Sequence, residues 1–129
     1  SRVYAVFADQ QFRCLTQDHT LVQDLVNHGE LAPEQVKNHP QRNMLTNALG
    51  IWSNIRVDIS RIEDPVRLFL ICSDGLHGYV PDSVIGRILT DERLPLQSRC
   101  KQLMNLALQQ GGYDNITIIL IQKEEGDRR

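Results

Sequence analysis

Two aspartates stand where a carboxylate can do chemistry. Asp74 follows the apolar run Val66–Cys72 with only Ser73 between, and Gly75 turns the chain directly after it. Asp114 leads through Asn115 into a second apolar run at 116–121. A carboxylate at the end of a buried strand is held rigidly at the rim of a sheet, where it can meet a metal or a substrate. Two of them on neighbouring strands offer hard oxygen ligands of the kind Mg²⁺ or Mn²⁺ prefers. Asp-Gly and Asp-Asn are also ordinary turn pairs, and each aspartate taken alone is explained as well by a turn. The residue pattern leaves both readings open.

Other reactive side chains point less clearly. His28 falls at the end of a helical pattern, where a cation suits the helix dipole. His39 precedes Pro40 in a loop, His19 follows Asp18 just ahead of a helix, and His77 lies three residues beyond Asp74. No Ser–His–Asp or Cys–His arrangement is legible, and no G-x-x-x-x-G-K-[ST] phosphate loop occurs. Gly111-Gly112 reads as the end of a helix rather than a phosphate cradle.

The elements that must position these groups follow from periodicity. Residues 3–7 and 12–16, separated by Asp9-Gln10-Gln11, read as a β-hairpin. A core strand at the very start predicts that sequence is missing upstream. Thr20 with Gln23 makes an N-terminal capping box, Leu21, Val22, Leu25 and Val26 form the apolar stripe, and Gly29 closes the helix. Pro33 opens a second short helix over 33–38, which stops before Pro40. Residues 55–62 alternate apolar and polar, predicting a half-exposed strand. Val66–Cys72 and 116–121 predict central strands buried on both faces. Helices are predicted at 81–90 and 96–110, with Val84, Ile88, Leu103 and Ala107 turned inward.

Composition removes several function classes. The chain has 129 residues, 14 Lys plus Arg against 16 Asp plus Glu, and a formal charge of −2. That balance opposes a nucleic-acid-coating surface or a polybasic membrane anchor. Hydrophobic residues at 41% and charged ones at 23% are ordinary globular usage. No apolar run approaches the roughly 18–20 residues of a membrane span. Cys14, Cys72 and Cys100 are odd in number and widely spaced, predicting buried reduced thiols in a soluble, cytoplasmic chain. The charged tail 123–129 is expected to fray.

Five segments together resemble the metal-dependent serine/threonine protein phosphatases of type 2C, most closely the bacterial single-domain branch. Ser1-Arg2-Val3-Tyr4 resembles the end of that family's Gly-Asp-Ser-Arg-x-Tyr strand. Thr16-Gln17-Asp18-His19-Thr20 resembles Thr-x-Asp-His-Ser, and Asn43-Met44-Leu45-Thr46-Asn47-Ala48-Leu49-Gly50 resembles Asn-x-Leu-Thr-Arg-Ala-Leu-Gly, with Asn47 in the usual Arg place. Cys72-Ser73-Asp74-Gly75-Leu76 resembles the Ser-Asp-Gly-Leu core, and Gly111 to Thr117 the closing Gly-Gly-x-Asp-Asn-Ile-Thr. Each piece is short; five in the family's order and spacing are specific.

The resemblance implies an α/β (α+β) fold, the αββα sandwich of these phosphatases, with this chain as the C-terminal half of one catalytic domain. It implies metal ligation by Asp74 and Asp114, supported by Gly75 and by Asn115, which would orient Asp114 or a water. It implies a flap at about 21–45, where His39, Arg42 and Asn43 would touch substrate. The implied cofactors are two or more Mg²⁺ or Mn²⁺ ions in the complete domain. The implied reaction is hydrolysis of phosphoserine or phosphothreonine in proteins phosphorylated by a serine/threonine kinase, by direct attack of an activated water without a phosphoenzyme. The family's N-terminal half would bring further Glu/Asp ligands, an Asp-Gly-x-Gly-Gly loop and a phosphate-binding Arg, so no general acid or other catalytic residue is assigned here. The chain alone is expected to be inactive, to bind metal weakly, and to pair with that half or self-associate through apolar faces bearing Val3, Ala5, Phe7, Leu68, Leu70, Ile118 and Leu120. No nucleic-acid partner is expected. The alternative is a non-catalytic phosphatase-like binding module; a different metal-dependent hydrolase would fit the carboxylates but not the motif order.

Overall fold

The computed structural model describes residues 1–124, so the end of the charged tail lies outside the described residues. The chain forms two compact units, one built from Ser1–Thr16 together with the chain from Ile62 onward, the other from Gln17–Arg61.

The first unit is organised by an antiparallel sheet. Strands β1 (Arg2–Phe7) and β2 (Phe12–Cys14) form the expected hairpin, with Gln10 taking the positive φ of 70° that the tight connection needs. Strand β3 (Val66–Cys72) pairs with β1, and β4 (Ile118–Gln122) pairs with β3, giving the order β2-β1-β3-β4. Registers Tyr4↔Leu70↔Leu120 and Val6↔Leu68 put one alternate set of side chains on the face that the helices cover.

Among the described residues three helices belong to this unit: α2 (Asp74–His77), α3 (Asp82–Leu89) and α4 (Leu96–Gln109), the label α1 being kept for the helix of the second unit (Leu21–Asn27). As predicted, Ile88, Leu103 and Ala107 are buried and Val84 packs against the same core, which also holds Tyr4, Leu68, Leu70, Leu76 and Ile85. The α4 stripe falls at Arg99, Leu103 and Ala107, the i, i+4 spacing of one helix face. Arg99 is buried as well, its guanidinium donating to the carbonyls of Leu89 (3.2 Å) and Leu94 (2.9 Å), which fastens the end of α3 to the start of α4. The ring of Tyr4 stacks on Phe12 at 5.2 Å, and its hydroxyl donates to Asp82 at 2.9 Å.

Several expectations are corrected. Strands β3 and β4 are covered on one face only: Ile71, Ile119 and Ile121 are exposed on the other. Leu68 and Leu70 are buried under the helices, Ile118 and Leu120 pack against that same core, and Ala5 and Phe7 are buried. Phe7 is covered by Arg13, whose guanidinium carbon lies 4.0 Å from the ring centroid. The open face is therefore carried by the isoleucines. Cys14 is exposed, and only Cys72 of the three thiols is fully buried, because Cys14 ends the short edge strand β2. Among the described residues no helix is long and apolar enough to cross a membrane.

In the second unit, α1 is capped as expected: Thr20 Oγ1 accepts from the Gln23 backbone N–H at 3.2 Å, and Gly29 follows at φ 73°. The second helix shortens to one 3₁₀ turn, Pro33–Gln35, since Pro40 and a run of turns leave no room for a second helical turn. Residues 55–62 form no strand. Val57 and Ile59 are exposed, and an alternating pattern becomes a strand only beside a partner whose backbone it can pair with.

Candidate metal centre

The site is built where β3 leaves the sheet. Ser73 adopts an extended backbone and starts α2, so Asp74 is the first residue of a short helix, with Gly75 and Leu76 buried behind it. The antiparallel register Cys72↔Ile118 sets the end of β3 beside the start of β4. The segment carrying Asp114 therefore reaches the same end of the sheet as Asp74.

Ser73 ties the two segments together. Its backbone N–H donates to the Thr117 carbonyl at 3.1 Å, its hydroxyl donates to the Asn115 carbonyl at 3.2 Å, and the same hydroxyl accepts from the Thr117 N–H at 3.0 Å. Gly75 lies directly under this contact. A β-carbon there would sit 2.9 Å from the Asn115 carbonyl carbon and 3.1 Å from Ile116 Cα, and closer still to the Asn115 oxygen. Asn115 in turn donates its backbone N–H to Asp114 Oδ1 at 2.7 Å, which fixes the carboxylate. The turn out of α4 into this segment uses Gly111 and Gly112 at φ 122° and 57°.

Both Asp74 and Asp114 are exposed, so each carboxylate is open to solvent. Charged oxygens on rigid turns fit a hard divalent cation as part of its ligand set. They do not complete one: among the described residues no group of three or more His, Cys, Asp or Glu side chains converges to hold a metal.

The other expected site residues fall in the second unit and are described there alone. His39 Nδ1 accepts from the Gln41 N–H at 3.1 Å, and Arg42 Nη1 donates to the His39 carbonyl at 3.2 Å, making a local turn beside the exposed Asn43. Ser73 enters the sequence reading as a member of the Cys72-to-Leu76 motif, with no role of its own; its place between an apolar strand and Asp-Gly was the available signal. It also passed over the contacts of Asn47, which bonds to His19 and to the backbone of Arg56.

Comparison with known proteins places this arrangement. No family model matches the chain. It is 36% identical over 120 residues to a putative protein phosphatase 2C-type of Streptococcus pyogenes, covering 92% of this chain and 48% of that protein. It is 35% identical over 119 residues to the protein phosphatase PhpP of Streptococcus pneumoniae, again covering 48% of the relative. Among solved structures, serine/threonine phosphatase Stp1 from Staphylococcus aureus superposes with a TM-score of 0.84 at 37% identity, over 96% of this chain and 48% of that one. The catalytic domain of the serine threonine protein phosphatase PstP, solved with two manganese ions, matches at 27% identity and a TM-score of 0.66 over 93% and 48%. The α+β layer of one antiparallel sheet under its helices is thus that of a protein phosphatase fold. In sequence and fold the chain is similar to part of the type 2C serine/threonine phosphatases, and it spans about half the length of the relatives it matches.

Proposed function

We propose that this chain supplies part of the metal site of a phosphatase that hydrolyses phosphoserine and phosphothreonine in proteins. The observation that carries the reading is the set of Ser73 hydrogen bonds, which joins the turn bearing Asp74 to the segment bearing Asp114. In this reading Asp74 and Asp114 are metal ligands. The Asn115 N–H holds the Asp114 carboxylate in one orientation, and Gly75 gives the Asn115 carbonyl the space to come in. When bound, Mg²⁺ or Mn²⁺ supplies Lewis acidity, making hydroxide available from water near neutral pH and offsetting charge on phosphoryl oxygens. A hard divalent ion takes about six oxygens, so the ligand set needs more donors than two carboxylates, and we assign these to water and to the half of the relatives' length that this chain does not span. The segment 21–45 is read as a flap, with His39, Arg42 and Asn43 as its candidates for substrate contact.

The exposed face of the sheet supports the same division. Register pairs Ile71 with Ile119 and Phe69 with Ile121, an apolar surface that a second layer would cover. The remainder of the phosphatase domain is the occupant we assign to it.

The test uses the parent protein with both halves present. Asp74→Asn and Asp114→Asn keep side-chain shape but delete a ligand charge. Each is expected to remove most Mn²⁺-dependent phosphopeptide hydrolysis while leaving the metal-free melting temperature unchanged. Near-normal turnover by either variant refutes the metal assignment. A wild-type parent that neither binds Mn²⁺ nor hydrolyses phosphopeptide would instead make the chain a phosphatase-like binding module.

A further inference from the structure

The second unit holds a histidine whose tautomer is dictated by backbone geometry. Asn47 clamps Arg56 at both backbone groups: its Nδ2 donates to the Arg56 carbonyl at 2.7 Å, and its Oδ1 accepts the Arg56 N–H at 3.0 Å. That pairing leaves no freedom to exchange the amide oxygen and nitrogen. The second hydrogen of Nδ2 points at His19 Nδ1, 2.9 Å away, so Nδ1 must be the acceptor. The ring proton then sits on Nε2 and is donated to Asp58 Oδ2 at 2.7 Å. His19 itself is held in place, its carbonyl accepting from the Thr46 N–H at 3.0 Å beside the Thr20↔Leu45 bridge.

We propose that His19, neutral and protonated on Nε2, is a pH-sensitive latch that holds residues 47–58 against the start of α1 and releases them when the ring gains its second proton. The added proton can go only on Nδ1, where it would face the Asn47 amide hydrogen: two donors and no acceptor. Asn47 cannot rotate to offer its oxygen without abandoning both Arg56 groups. The bond to Asp58 survives protonation and gains charge assistance, so the break falls on the Asn47 side alone. Among the described residues Asp58 contacts the ring and Arg56 contacts Asp58, and Asp18 precedes His19 in the sequence. The Nε of Arg56 lies 3.6 Å from Asp58 Oδ1. The His19 bond holds the Asp58 carboxyl below its ordinary value, in keeping with a close contact. The loop 47–58 has no strand or helix of its own to retain it, so loss of the clamp has a local consequence.

The test is nuclear magnetic resonance on the whole chain between pH 8 and pH 5, the span in which imidazoles change charge. At pH 8 the ring ¹⁵N shifts should report the Nε2–H tautomer; the Nδ1–H tautomer overturns the proposal. On acidification the Arg56 amide protection factor should fall tenfold per pH unit once the ring titrates, one proton being linked to each opening. The Gly29 amide, bonded to the Val26 carbonyl at the end of α1, is the internal control and should hold its protection. Equal loss at Arg56 and Gly29 means that the unit melts as a whole, and the latch is wrong. His19→Gln supplies a neutral acceptor and donor in one side chain and should reduce the fall at Arg56 to less than twofold. An undiminished fall in that variant also refutes the latch, and the wild-type readings decide the question should the variant not fold.

Discussion

Gly75→Ala tests the contact on which the candidate site rests. Alanine is the better helix former, and in the short helix α2 it would add roughly 0.5–1 kcal/mol of stability if space allowed. Space does not allow it. The new methyl would meet the Asn115 carbonyl group and Ile116 Cα, which are backbone atoms with no rotamer to give. Relief requires the 114–117 segment to move away from Ser73, and that breaks the Ser73 hydroxyl's bonds to the Asn115 carbonyl and the Thr117 N–H. Forced overpacking costs about 1–3 kcal/mol and each lost hydrogen bond about 1 kcal/mol. After the propensity gain is subtracted, the net loss should be about 3 kcal/mol, a fall in melting temperature of about 9–15 °C by differential scanning calorimetry for a domain of this size. In the parent protein the same change should weaken Mn²⁺ binding, read by isothermal titration calorimetry, because Asp114 moves with Asn115. A melting temperature equal to or above wild type would show that the two segments are not in backbone contact, and the reasoning about the site would fall with it.

Three further outcomes follow from burial and charge. Burial pushes the Cys72 thiol up to about 11, so at pH 8 a thiol reagent should modify exposed Cys14 quickly and Cys72 only after unfolding, which peptide mapping would show; fast labelling of Cys72 contradicts the packing. The phenol of Tyr4 is raised well above its ordinary value, chiefly by burial, so its contribution to stability is full below the unfolded pKa of about 10 and declines as pH climbs past it. The urea midpoint should therefore drop between pH 9 and pH 11, and drop less in Tyr4→Phe, whereas an equal drop in both removes Tyr4 as the cause. Light scattering of the isolated chain should report self-association through the Ile71, Ile119 and Ile121 face, relieved by Ile119→Lys; a monomer at all concentrations would mean the face needs no cover.

Elements whose signal is local were legible in the sequence. The hairpin, the Thr20 cap of α1 and the amphipathic stripes of α3 and α4 each depend on neighbours within a few residues, and all four stand where the periodicity put them. Residues 55–62 were misread for the opposite reason. Their alternation states which side chains want burial, but a strand is defined by a partner's backbone, which no local pattern contains. The candidate site shows the same split. The strand-end positions of Asp74 and Asp114 are readable locally and their proposed role as ligands only through the family resemblance, while the contacts of Ser73 have no local signal because they reach residues 42 and 44 positions away.

The apolar runs around β3 and β4 carry one more step. A strand covered on one face needs apolar residues only at alternate positions, and β3 could have kept Leu68, Leu70 and Cys72 with polar residues between them. Instead Phe69 and Ile71 fill the intervening positions, and Ile119 and Ile121 face the same way on β4. The reading of both strands as buried on two faces was wrong for this chain and informative about its sequence. At about 25 cal/mol per Å² of apolar surface, side chains of this size gain roughly 1.5–3 kcal/mol each on full burial. A composition that asks for burial the described fold does not provide is what the covering layer proposed above would satisfy, and the chain spans about half the length of the phosphatases it resembles.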